Sequence, residues 1–281
     1  MAQIDAISTR DKGFLKVDKG KCTNCGACAD VCPASAIGLT PDGPVETGLR
    51  ICIACGHCVA ACPVEALDNL YAPLSGQVPL EDSRPLDPAA AVRFLRSRRS
   101  IRAYKKEPVP QELLLQILDI ARFASTGGNS QGLSYLVISD RKKLDAISRA
   151  VIDWMESLVA QRVEGSEYFV GIIRTARETG KDAILRGAPH LIVAMCDETF
   201  LRGPENAHFA FAYAELLAPT LGIGTCWAGL FQGCAINGYA PLLDILDIPP
   251  GKRVAGGLMA GFPIHKYYRL VGRNDLEVEW K

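Results

Sequence analysis

Apolar positions along this 281-residue chain change their period near residue 88. Beyond that point helical spacing dominates. Asp87 followed by Pro88 reads as an N-cap with proline at the first helical position, and Ala89 to Arg98 carries Val92 and Leu95 as its apolar face. Pro110 opens a second stretch in which Leu113, Leu114, Ile117, Leu118 and Ala121 keep the 3.6 period. Further helices are predicted over roughly 141–163, 166–180, 205–221 and 239–246. Compact apolar runs at Tyr135–Ser139, Leu191–Cys196, 223–227 and 253–260 read as strands between them. Before residue 71 only short pieces occur, at 14–17 and 36–39, suited to small strands. After Pro263 the pattern stops, and the tail reads as an extended arm. Strands separated by helices, with the longest helix apolar on nearly all sides, predict a sheet covered by helices on both faces.

The residues between these regimes, Tyr71 to Pro88, hold four prolines and read as a linker. The expected organisation is a small domain over 1–75, a linker over 76–90 and a larger domain over 91–281. The apolar stretch Ala207–Phe231 invites a membrane reading, but Glu215 sits in its middle and Pro219, Gly222 and Gly224 divide it. A core helix followed by a short strand is expected instead.

Thirty-one basic and 31 acidic residues leave no net charge, so nothing favours nucleic acid or an anionic membrane surface. The N-terminal stretch MAQIDAISTRDKGF lacks the apolar segment of a signal peptide, and a cytoplasmic location is expected. Of 11 cysteines, Cys196, Cys226 and Cys234 lie in apolar surroundings and read as reduced core positions.

The other eight cysteines form one motif twice. Cys22, Cys25, Cys28 and Cys32 are followed by Pro33, and Cys52, Cys55, Cys58 and Cys62 by Pro63, at identical spacing. Disulfides would imply export, and zinc pairs need no third cysteine two residues on and no fourth before proline. The doubled pattern resembles the bacterial two-cluster ferredoxins. That resemblance implies two [4Fe-4S] clusters, with Cys22, Cys25 and Cys28 joined by Cys62, and Cys52, Cys55 and Cys58 joined by Cys32. Gly26 and Gly56 lie inside the turns, where a missing side chain lets the backbone approach a cluster.

Three later pieces resemble, in order, the nitroreductase family of FMN proteins. They are Arg98-Arg99-Ser100-Ile101-Arg102 with Pro108-Val109, the loop Ala124 to Gln131, and Gly222 to Gly229 with Gly261-Phe262-Pro263 downstream. The resemblance covers the C-terminal two-thirds and implies an α+β, nitroreductase-like FMN-binding fold with a mixed sheet, preceded by the ferredoxin-like domain. Arg98 and Arg102, with Arg269 and Arg273 from the tail, suit a phosphate dianion, and Ser100 offers a hydroxyl beside it. Arg99 reads as solvated. Ser125, Asn129 and Gln131 offer groups for the flavin's pyrimidine edge, Asn129 best of all. The resemblance places Cys226, Trp227, Ala228 and Gly229 along the isoalloxazine, with a backbone N–H near N5; Cys226 and Trp227 read equally well as core. The family often carries glutamate at the position of Gly229, so its absence implies a more open N5 face. No catalytic side chain is singled out.

The resemblance also implies a homodimer with FMN at the subunit interface. No G-x-G-x-x-G or G-x-x-x-x-G-K-[ST] occurs, so a dedicated dinucleotide domain is not expected, although NAD(P)H can meet a flavin directly. Three readings follow. Electrons pass from a low-potential donor such as ferredoxin or flavodoxin through the clusters to FMN and on to a small organic acceptor of nitroaromatic, quinone or activated-alkene type. Alternatively NAD(P)H reduces the flavin and electrons leave through the clusters, or the chain is an electron-transfer subunit. Residues 150–185, with Trp154, Met155, Tyr168 and Phe169, read either as a lid over the flavin or as two amphipathic helices.

Overall fold

A computed structural model describes residues 13–48, 51–80 and 86–281. The leader reading of the N-terminus, and residues 81–85 of the linker, lie outside the described residues. The chain divides into two compact units, one of residues 1–84 with Gly128–Ser130, the other of the remainder.

In the first unit, β1 (Leu15–Val17) pairs antiparallel with β4 (Leu67–Asn69), and β2 (Ile37–Thr40) forms a hairpin with β3 (Gly43–Glu46). Each cysteine run ends on one helical turn, α1 (Ala27–Asp30) or α2 (His57–Ala60), entered through Gly26 at φ 83° and Gly56 at φ 73°. Asn24 and Ala54 hold matching positive φ of 55° and 56°, as do Ser35 and Glu65 at 49° and 50°. The whole motif is therefore a structural repeat at an offset of thirty residues. Glu46 fastens the start of β1, its carboxylate accepting the Gly13 and Leu15 N–H groups at 2.8 Å each.

The second unit begins with α3 (Pro88–Ser97), whose cap is the expected one: Asp87 accepts from the Ala89 and Ala90 N–H groups. Then follow α4 (Gln111–Ala121), β5 (Leu133–Ile138), α5 (Arg141–Ala160), α6 (Val170–Thr179), β6 (His190–Asp197), α7 (Gly203–Leu217), β7 (Gly224–Trp227), α8 (Gly229–Ile236), α9 (Ala240–Leu246) and β8 (Lys252–Gly261). The sheet order is β5-β6-β8-β7 with antiparallel pairs, and a parallel bridge from Ser100 to Thr225 makes it mixed at the β7 edge.

Period-two alternation separates two cores. From β6, Leu191, Val193 and Met195 pack with α5, α8 and α9, whereas Ile192, Ala194 and Cys196 pack with α4 and α7. Between the two layers, β8 carries Gly256 and Gly257. A Cβ on Gly256 would stand 3.1 Å from the Phe211 ring, and one on Gly257 2.6 Å from the Phe231 ring on the other face.

Trp154, at 8% exposure, and Met155 lie in the first of these cores, and Phe169 packs against it. Arg177 of α6 binds Asp153 and Glu156 of α5, with shortest distances of 2.6 and 2.7 Å. α5 and α6 are thus packed helices, and the lid expectation fails for Trp154 and Met155, which serve the core. Ala207–Phe231 is the core helix and strand expected, and no described helix is long and apolar enough to cross a membrane.

Candidate functional site

In the first unit the cysteine side chains face two small cavities. One is lined by Cys22, Cys25, Cys28 and Cys62; the other is lined by Cys32, Cys52, Cys55 and Cys58. Each wall thus contains three thiols of one run and the fourth of the other, the crossed sets that the ferredoxin resemblance implies. The fourth thiols are held alike: the Ala36 N–H donates to Cys32 Sγ at 3.3 Å, and the Ala66 N–H to Cys62 Sγ at 3.2 Å. All eight are free thiols. Burial pushes the Cys28 and Cys58 thiols above the ordinary value. Among the described residues no three His, Cys, Asp or Glu side chains gather as ligands of a single ion. Four thiols line each cavity, and that donor set fits iron–sulfur chemistry.

The surroundings of the two cavities differ. Asn69, 1% exposed, donates from Nδ2 to Cys52 Sγ and Cys58 Sγ at 3.7 Å each. Nothing in the sequence reading singled it out; comparison with its counterpart thirty residues earlier, Leu39, would have done so.

In the second unit the chain after α3 runs beside β7. Ser100 bridges Thr225, the Ile101 N–H donates to the Thr225 carbonyl at 2.9 Å, and Arg102 Nη1 reaches the Ser100 carbonyl at 3.5 Å. This places Arg98, Ser100 and Arg102 on one short segment next to Thr225–Gly229. Arg98 is not free: its Nη1 lies 3.4 Å from Glu215 Oε1 in α7, the two side chains being 30% and 13% exposed. Burial raises the Glu215 pKa, and Arg98 pulls it back.

Trp227 is half-buried, its ring 4.3 Å from that of His208 and edge-on to Phe211. The Ala228 N–H is spent on the Gly257 carbonyl at 2.9 Å, so the backbone donors left beside the strand end are those of the first turn of α8, starting at exposed Gly229. A Cβ on Gly229 would meet Trp227 Cδ1 at 3.3 Å, and the missing side chain keeps this corner open. One turn on, buried Gln232 has an Oε1 with no partner among the described residues. Guanidinium and hydroxyl groups on one segment and helix N–H groups on the next suit an anion and a polar ring edge, so the donor set fits FMN. Cys226 is buried and its thiol pushed up by burial, which disfavours a thiolate nucleophile. His208 and Gln232 went unnoticed in the sequence because each sits inside an apolar stretch, and Glu215 was read there only as a charge that argues against a membrane span.

Other expected positions stand elsewhere. Gly128–Ser130 groups with the first unit, where Asn129 Nδ2 donates to the Ile53 and Ala54 carbonyls at 3.1 and 2.9 Å. As placed, that amide serves the second cysteine loop. Ser125 and Gln131 are exposed, and the Gln131 N–H donates to Thr126 Oγ1. Arg269 and Arg273 lie on the exposed arm, and Arg273 Nη1 donates only to the neighbouring Gly272 carbonyl among described partners. Arg99, expected in solvent, is half-buried with its guanidinium 5.4 Å from the Tyr267 ring centre and its Nε without a partner among the described residues. The arm covers it, a contact no local pattern announces.

Residues 95–262 match the model of the nitroreductase family, and residues 14–63 that of a 4Fe-4S dicluster domain. The FMN reductase [NAD(P)H] of Bacillus subtilis (strain 168) is 26% identical over 174 residues, 61% of this chain and 65% of that protein. The chain thus spans just under two-thirds of that relative's length. A nitroreductase structure with bound FMN from Desulfitobacterium hafniense DCB-2 superposes with a TM-score of 0.54 at 21% identity, covering 67% of this chain and 97% of the other. An FMN-bound iodotyrosine deiodinase gives 0.52 at 22% identity, over 68% and 98% of the two chains. At those identities the likeness is one of fold.

Proposed function

The chain belongs to the nitroreductase family, and from that premise we propose that it is an FMN-dependent oxidoreductase, fed by a low-potential donor through two [4Fe-4S] clusters and serving a small organic acceptor. The observation that carries this reading is the pairing of the thiols: two cavities, each walled by four cysteines in the crossed sets, on the same chain as the nitroreductase domain. When bound, clusters supply single low-potential electrons and FMN supplies two-electron hydride chemistry.

The chain's own residues hold and orient these groups. Cys22, Cys25, Cys28 and Cys62 would hold one cluster, and Cys52, Cys55, Cys58 and Cys32 the other. Arg98, Ser100 and Arg102 would bind the FMN phosphate, and the N–H groups opening α8 would face the ring, with Trp227 beside it. The open corner at Gly229 leaves room for an acceptor of the nitroaromatic, quinone or activated-alkene class. Exposed Phe209 and Tyr213, one turn apart on α7 at 57% and 41%, support a second copy packing there as a homodimer.

A second reading has NAD(P)H reducing the flavin and electrons leaving through the clusters; the Bacillus subtilis relative, an FMN reductase [NAD(P)H], favours it. Anoxic rapid mixing of full-length protein separates the two. Flavin bleaching by reduced ferredoxin but not by NADH or NADPH is expected. Fast bleaching by a nicotinamide alone refutes the inward direction, and absence of turnover with free acceptors leaves an electron-transfer subunit.

A further inference from the structure

The two halves of the cysteine repeat superimpose in sequence at an offset of thirty, and they share backbone conformation at Asn24 and Ala54, Gly26 and Gly56, and Ser35 and Glu65. They also share the N–H···Sγ bond to the fourth cysteine. One difference on the cavity walls interrupts the likeness. Seven residues after the fourth cysteine, the first half has Leu39 on the wall of its cavity, and the second has Asn69 on the wall of its own.

The orientation of the Asn69 amide follows from its other bond. The Tyr71 N–H donates to Asn69 Oδ1 at 2.9 Å, so the oxygen is committed and the NH2 group is the one that faces Cys52 Sγ and Cys58 Sγ. The first half has no such anchor, because the residue thirty before Tyr71 is Pro41, which lacks an N–H. Two donors therefore point at two ligand sulfurs of one cavity and, at the matching place, an aliphatic side chain borders the other.

We propose that Asn69 is a positioning residue that raises the reduction potential of the cluster held by Cys52, Cys55, Cys58 and Cys32. Adding an electron increases the negative charge on the thiolate sulfurs, and a donor aimed at them stabilises the reduced form more than the oxidised one. Burial acts the other way. Cys52 and Cys58 are both buried, whereas in the first set Cys25 is exposed. Without Asn69 the second cluster, in the drier site, would be the harder of the two to reduce; the amide offsets that handicap. The proposal rests on the two-cluster reading above.

The test is a potentiometric titration of the full-length protein followed by electron paramagnetic resonance, with iron and sulfide measured in the same samples. Asn69→Leu is the informative change, since leucine fills the space and keeps out a water that would replace the lost donor. One midpoint should fall by about 59 mV, a tenfold change in the one-electron equilibrium, and the other should stay in place. Full iron content with neither midpoint moved, or with both moved equally, overturns the proposal. Iron well below about eight atoms in the unaltered protein fails the two-cluster reading instead. Should Asn69→Leu not retain its second cluster, unaltered protein with asparagine side-chain 15N decides. Pulsed resonance of the reduced state should show that nitrogen coupled to one cluster only, and no coupling overturns the assignment.

Discussion

Replacing Arg98 with alanine removes two things at once, and the geometry separates them. The first is a charge-assisted contact to the FMN phosphate, about 1.5 to 3 kcal/mol, or ten- to hundredfold in affinity. The second is the partner of Glu215, whose carboxylate is 3.4 Å from the Arg98 guanidinium and only 13% exposed. Left alone, Glu215 loses the cation that opposes its burial, and whenever its carboxylate is ionised it repels the phosphate dianion proposed to lie nearby, which adds to the loss. Changing Glu215 to Gln in the same protein removes that anion, so the double variant should recover part of the affinity that Arg98→Ala loses. Glu215→Gln alone should bind FMN at least as tightly as the unaltered protein, since the guanidinium no longer divides its charge. The assay is titration of flavin-stripped protein with FMN at fixed ionic strength, read by quenching of flavin fluorescence, with thermal melting as the check on folding. An affinity within twofold of the unaltered value for Arg98→Ala refutes the phosphate assignment. A double variant no better than Arg98→Ala refutes the role given to Glu215.

Cys25→Ala and Cys55→Ala should each halve the iron content, and stoichiometric zinc in the anoxically purified protein would sink the cluster reading. His190, 3% exposed, accepts the Val109 N–H on Nε2 at 2.8 Å and lies 2.7 Å from Ser139 Oγ through Nδ1, so its ring is neutral in the folded state. Burial lowers its pKa, so its contribution is complete above the unfolded value near 6.5 and is lost as pH falls below it, by up to about 1.4 kcal/mol per pH unit. Denaturant melts between pH 8 and pH 5.5 should show this loss in the unaltered protein and a flatter profile in His190→Gln. Gly257→Ala should destabilise by about 1 to 3 kcal/mol, because its Cβ falls 2.6 Å from the Phe231 ring, and Phe231→Leu in the same chain should return part of it. Additive melts for that pair would show that the clash is absent.

Local signals carried most of the scaffold. The 3.6 period located α4, α5 and α7, and Asp87–Pro88 started α3 where its cap forms. Residues Gly229–Ile236 escaped because two glycines and an apolar surface all round leave no helical stripe, and β3 and β4 are too short and polar to show an alternation. The thiols were legible because ligand spacing is local. The rest of the site depends on distant neighbours: Glu215 meets Arg98 across more than a hundred residues, Asn129 meets Ile53, and Tyr267 covers Arg99. No periodicity encodes such meetings.

The glycine pair in β8 has a mechanical meaning. A sheet normally keeps its two layers apart by the thickness of its own side chains. At Gly256 and Gly257 that padding is gone, and the rings of Phe211 and Phe231 bear on adjacent peptides from opposite sides. The Gly257 carbonyl in turn holds the Ala228 N–H, one residue before the open end of α8. The helix that exposes Phe209 and Tyr213 and the corner beside Trp227 thus share one dipeptide of backbone, like two arms set on a single pivot.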